Sequence, residues 1–132
     1  MDAECKAIEK KMQSEVDQFK SIQKDFSKLV QQRELLDGQL NENKSVLEEL
    51  KILKDDNQVY KLYGPVLVKQ DLEDSRQNVS KRMDYIKKEL KRCNDQIEDL
   101  EKKQDKHREN IQKLQQKLQQ QYQSVMAAAG MK

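Results

Sequence analysis

Val59-Tyr60-Lys61-Leu62-Tyr63-Gly64-Pro65-Val66-Leu67-Val68 is the one β-like stretch in a chain that is otherwise polar and helix-forming. It holds the only proline and one of three glycines, and it lies near the midpoint of 132 residues. Gly64-Pro65 is a turn signal between two runs of β-branched and aromatic residues, which predicts a β-hairpin over about 58–69. With the turn there, Tyr63 faces Val66, Leu62 faces Leu67, Lys61 faces Val68 and Tyr60 faces Lys69. One face then carries Tyr60, Leu62 and Leu67, and the other carries Val59, Tyr63, Val66 and Val68. A hairpin resting on its own chain needs only one apolar face. Two apolar faces and two open edges predict pairing with strands of other chains, since a lone hairpin is marginal in water.

Outward from the hairpin, each flank carries a heptad pattern. On the N-terminal side, alternate steps of four and three give Ile8, Met12, Glu15, Phe19, Ile22, Phe26, Leu29, Arg33, Leu36, Leu40, Asn43, Leu47 and Leu50. Ten of these thirteen are apolar, a coiled-coil seam sustained through Gly38. The predicted helix spans about 3–54 and stops at Asp55-Asp56-Asn57. On the C-terminal side the walk runs Leu72, Arg76, Val79, Met83, Ile86, Leu90, Cys93, Ile97, Leu100, Gln104, His107, Ile111, Leu114, Leu118, Gln121 and Val125. That helix is expected over about 71–126, with Asp71 as N-cap and a frayed tail at 127–132. A short connection makes the two helices antiparallel, with facing residues summing to roughly 124. Such an arm would be about 70 Å long, with both termini at the end away from the hairpin.

Composition bounds the function. Charged residues make up 38% of the chain and aromatics 5%, with no Trp. So polar a chain supports a thin two-helix seam rather than a thick core, and its length predicts one domain over 1–132. The fold class is therefore mainly α: a long antiparallel two-helix coiled coil with one central β-hairpin. A net charge of +2 with both signs interleaved argues against a nucleic-acid surface. Membrane association is not expected, because no apolar run approaches ~18 residues. Met1-Asp2-Ala3-Glu4-Cys5 has acidic residues and no apolar core, so no signal peptide is expected. Cys5 and Cys93 fall about 40 Å apart on such a rod, too far for a disulfide, and suit a reducing compartment.

No catalytic constellation, phosphate loop or cofactor motif is present, and His107 has no neighbour at metal-ligand spacing. An enzyme is not expected, nor is a cofactor or a metal. Polar seam residues such as Arg33, Asn43 and Gln104 read as register control. Apolar residues near the two termini invite a second reading. Ile8, Met12, Val16, Tyr122, Val125 and Met126 form a candidate contact surface, with Phe19 and Leu118 closing the coiled coil beside them. Val16, Tyr122 and Met126 lie off the seam, and Met suits promiscuous contact.

The order helix, single hairpin, returning helix resembles the beta-type subunits of prefoldin over the whole chain; the alpha type carries two hairpins. Gly64-Pro65-Val66-Leu67-Val68-Lys69-Gln70, Leu40-Asn41-Glu42-Asn43 and Lys81-Arg82-Met83-Asp84-Tyr85-Ile86 are similar to one eukaryotic branch of that type. The resemblance implies a cytoplasmic hexamer of two alpha-type and four beta-type subunits joined through their hairpins. It implies that arm ends hold unfolded or nascent proteins, actin and tubulin among them, and that these pass to the cytosolic chaperonin without nucleotide. The competing expectation is a coiled-coil scaffold or tether without chaperone activity.

Overall fold

The computed structural model describes residues 3–54 and 56–130. Met1 and Asp2 of the N-terminal reading, Asp55 of the stop signal, and Met131 and Lys132 of the tail lie outside the described residues. The elements are α1 (Ala3–Ile52), β1 (Val59–Tyr63), β2 (Val66–Gln70) and α2 (Leu72–Ala128).

Local chemistry explains each boundary. α1 ends at Ile52, two residues before the expected limit. Asn57 is the reason: its side chain accepts from the Lys54 amide at 2.8 Å and its own amide donates to the Lys54 carbonyl at 2.9 Å. That small turn removes Lys54 from the helix. α2 starts behind Asp71, whose carboxylate accepts from the Asp74 amide at 3.0 Å as an N-cap. At the far end α2 runs through Ala127 and Ala128, beyond the expected limit of 126. Alanine has the highest helix propensity, and Gly130, with φ 74°, supplies the left-handed residue that closes a helix.

The strands pair antiparallel in the register Val59–Gln70, Tyr60–Lys69, Lys61–Val68, Leu62–Leu67 and Tyr63–Val66, as the position of the turn requires. Gly64 has φ 58°. Pro65 holds its own φ near −65°, so the positive-then-negative pattern is that of a type II′ turn and excludes type I′.

Contacts group the helices into two units. One joins the chain up to Val30 with the chain from Gln96 onward, and the other is Gln31–Asp95. Within each, the heptad positions are the covered ones: no residue of either walk is exposed. In the terminal unit Cys5 and Ile97 are buried, and the Arg108 guanidinium lies 5.6 Å from the centre of the Phe19 ring. In the middle unit Leu50, Met83, Ile86 and Cys93 are buried. These six are the whole buried core among the described residues, so packing is one side chain deep on each helix. The outer faces carry i,i+4 pairs such as Lys102–Glu98 and Lys113–Glu109, worth about 0.3–0.5 kcal/mol each.

Candidate assembly and client-contact surfaces

The hairpin exposes its apolar residues on both faces. On one, Tyr60, Leu62 and Leu67 are 50%, 65% and 65% exposed; on the other, Tyr63, Val66 and Val68 are 52%, 55% and 40% exposed. Only Val59, at the root, is half-buried. A side chain this apolar gains roughly 1.5–3 kcal/mol on full burial. Six of them held open around one turn form the kind of patch that marks a protein-binding surface. The sheet holds only these two strands, so each also offers an outer edge. Lys61 sits 5.2 Å over the Tyr63 ring, and its positive charge on the β1 edge deters indiscriminate strand pairing.

Arg76 ties the start of α2 to the C-terminal end of α1. Its Nε donates to the Leu50 carbonyl at 2.9 Å and its Nη2 to the Leu53 carbonyl at 3.0 Å, while Nη1 reaches Glu73 at 3.4 Å. The carbonyls at a helix C-terminus lack intrahelical donors and carry negative partial charge, so a guanidinium fork satisfies both needs. Sequence reasoning placed Arg76 on the walk and gave it no role. The signal was present: a cation near the start of α2 faces the C-terminal end of α1 when facing residues sum near 124.

In the terminal unit Ile8, Met12, Val16, Tyr122 and Val125 are half-buried and Met126 is 52% exposed. Of these six, Met126 is the most open to a partner. The Tyr122 hydroxyl donates to the Glu9 carboxylate, and that bond, with partial burial and the negative charge of Glu9, pushes the phenol up to about 12. Cys5 is 1% exposed and close enough to Tyr122 to add to the shift. It extends the first walk by one step of three, an extension the sequence reading did not take. Glu15 and His107, both on the walks, meet through Oε2 and Nδ1 and share the seam as a polar pair. Asn43 donates instead to the Gln39 carbonyl of its own helix at 2.7 Å, and Arg33 reaches Asn94 at 3.5 Å. Neither cysteine is in a disulfide, and among the described residues no cluster of His, Cys, Asp or Glu could hold a metal. Among them, no helix is long and apolar enough to cross a membrane.

Comparison with known proteins agrees with this geometry. Residues 13–121 match the family described as "Prefoldin subunit". A Drosophila melanogaster protein named "Probable prefoldin subunit 6" is 56% identical over 119 residues, covering 90% of this chain and 95% of that one. The Homo sapiens "Prefoldin subunit 6" is 46% identical over 121 residues, covering 92% and 91%. Among solved structures, the prefoldin beta subunit from Thermococcus strain KS-1 superposes with a TM-score of 0.57 at 25% identity, covering 83% of this chain and 90% of that one.

Proposed function

The chain belongs to the prefoldin subunit family, and from that premise we propose that it is the subunit-6-like, beta-type member of a hexameric, ATP-independent co-chaperone. Family membership makes it a chaperone subunit that associates with other prefoldin subunits. In the proposed assembly, two alpha-type and four beta-type subunits join through their hairpins, and the whole of 1–132 acts as one beta-type domain. The arms hold unfolded or nascent proteins, including actin and tubulin, in the cytoplasm and release them to the cytosolic chaperonin. The observation that carries this reading is the hairpin. Six large apolar side chains, 40–65% exposed on both faces, need partners that one chain does not supply.

The chaperone step needs no reacting group. A non-native client displays apolar surface without fixed shape. Several weak contacts on separate arms hold it through effective concentration, and each can let go without an input of energy. Met126, exposed and unbranched, and the half-buried Ile8, Met12, Val16, Tyr122 and Val125 supply this chain's share.

The test is native purification of the tagged chain from cytosol, with the mass of the intact assembly and its ability to suppress aggregation of denatured actin. A six-subunit mass with suppression in the absence of nucleotide is the expected result. A stable helical dimer that ignores denatured protein would favour the scaffold instead.

A further inference from the structure

A groove of about 380 Å³ lies along one flank of the helix pair in the terminal unit. Lys11 and Ser14 of α1 line one side, and Asn110, Lys113 and Lys117 of α2 line the other. The half-buried seam residues Glu15 and Leu114 form its floor. All three lysines are exposed, and Lys11 and Lys117 have no acidic partner among the described residues. Lys113 pairs with Glu109 of its own helix at 3.5 Å, but the two side chains are 67% and 65% exposed, so water screens the pair and little charge is neutralised. Glu15, the one carboxylate on the groove, is bonded to His107 in the seam.

Heptad phase extends the same pattern beyond the groove. Between Cys5 and Lys24 of α1 and between Gln104 and Ala128 of α2, this flank carries Lys11, Lys106, Lys113 and Lys117 and no Asp or Glu. The off-seam residues Val16, Tyr122 and Met126 fall on the opposite flank, where Tyr122 bonds Glu9 across the pair. The terminal unit therefore has one apolar flank and one cationic flank, although the chain as a whole is nearly neutral at +2.

We propose that the Lys11–Lys113–Lys117 groove receives acidic stretches of the non-native polypeptides that the arm holds. Carboxylates of an extended segment meet the three ammonium groups, the Ser14 hydroxyl and Asn110 amide bond its backbone, and Leu114 takes its aliphatic stems. Lysine is a point charge on a flexible stem, so it follows carboxylates that occupy no fixed position, as in a chain without a fold. The apolar flank accepts any client, whereas the cationic flank speeds the capture of acidic ones and disfavours basic ones. A polypeptide fits better than a nucleic acid, because no arginine and no aromatic ring lines the groove to pair phosphates bidentately or stack bases. The inference rests on the client-holding reading above.

The experiment uses the complex reconstituted with this chain, carrying a fluorescent dye on Gln18→Cys of the same flank. Cys5 and Cys93 are buried, so the dye marks one place, and it reports on this subunit alone. Polyglutamate should give a saturable signal that weakens as salt is raised, and polyglutamine should give none. Replacing Lys11, Lys113 and Lys117 together with Gln should weaken polyglutamate binding by about tenfold or more. Replacing Lys6, Lys20 and Lys24 with Gln removes equal charge from other faces and should change binding by no more than about twofold. All six lysines are exposed, so circular dichroism should be unchanged. Equal loss in both triple variants would make net charge responsible and overturn the proposal, as would polyuridylate binding as tightly as polyglutamate. Unfolded clients separate this proposal from the reading beneath it. Albumin reduced and capped with carboxymethyl groups should bind the wild-type complex more tightly than albumin capped with aminoethyl groups, and the Lys11, Lys113, Lys117 variant should lose that preference. A variant that keeps the preference overturns the groove and leaves client holding intact. A wild-type complex that holds neither albumin overturns client holding and the groove with it.

Discussion

Tyr122 and Arg76 show how single side chains act on a seam only one residue deep. The Tyr122 phenol donates to Glu9, and its folded pKa stands at about 12 against an ordinary 10.0. A raised folded pKa means the bond's contribution is complete below about pH 10 and is lost as pH climbs toward 12. Subtracting the phenolate absorbance of Tyr122→Phe from that of the wild type should isolate one titration near the upper value, and Glu9→Gln should bring it down. A difference curve centred at 10 in the wild type would remove the bond from the account. Arg76 makes charged hydrogen bonds to two carbonyls that otherwise lack donors. Arg76→Ala should cost about 2 kcal/mol, read as a lower urea midpoint at unchanged slope. Arg76→Lys should recover only part of this, because a point charge cannot reach both acceptors at once.

At the scale of the element, the hairpin and the helices carry separate burdens. Heptad positions are covered within the chain, while six of the hairpin's apolar residues stay 40–65% exposed. Replacing Leu62 and Leu67 together with Asp puts facing charges on one side of the sheet, each costing several kcal/mol if buried unpaired in an assembly. Helical circular dichroism should persist while the complex dissociates on a sizing column. A full-sized complex from the double variant would exclude the hairpin as the interface. Gly64 belongs to the same element: its φ of 58° has open space around it, so its requirement is backbone freedom rather than a close neighbour.

At the scale of the molecule, the division into two units gives truncation a clean meaning. Removing residues 1–12 and 119–132 takes material only from the terminal unit. The hairpin, the Arg76 fork and the Arg33–Asn94 contact all lie within Gln31–Asp95 and keep their partners. About six heptads remain in each helix, enough to hold a packed pair. The trimmed chain should assemble normally and protect denatured client less well, although in the proposed hexamer five other arms would mask part of the loss through avidity. Trimming every subunit of a reconstituted complex removes that masking. Undiminished protection by the fully trimmed complex would move client contact away from the residues near the termini.

The two helices, their heptad faces and the hairpin register were legible in the residues because each depends on periodicity alone. A step of four and three decides which side of a helix meets its partner, and a two-residue turn at Gly64-Pro65 decides which strand residues pair. The partners of Arg76 were not legible, since its acceptors are backbone carbonyls that every residue possesses. Nor was the Tyr122–Glu9 bond, which lies on the flank of the seam, where helix rotation rather than heptad phase decides the neighbours. The shortened α1 came from one asparagine side chain competing with the helix for the Lys54 amide. The sequence by itself determined which residues repeat and therefore which faces meet. Only the tertiary structure decided which polar atoms come within bonding distance and that a groove opens between Lys11 and Lys113, because both depend on angles and separations that a repeat does not encode.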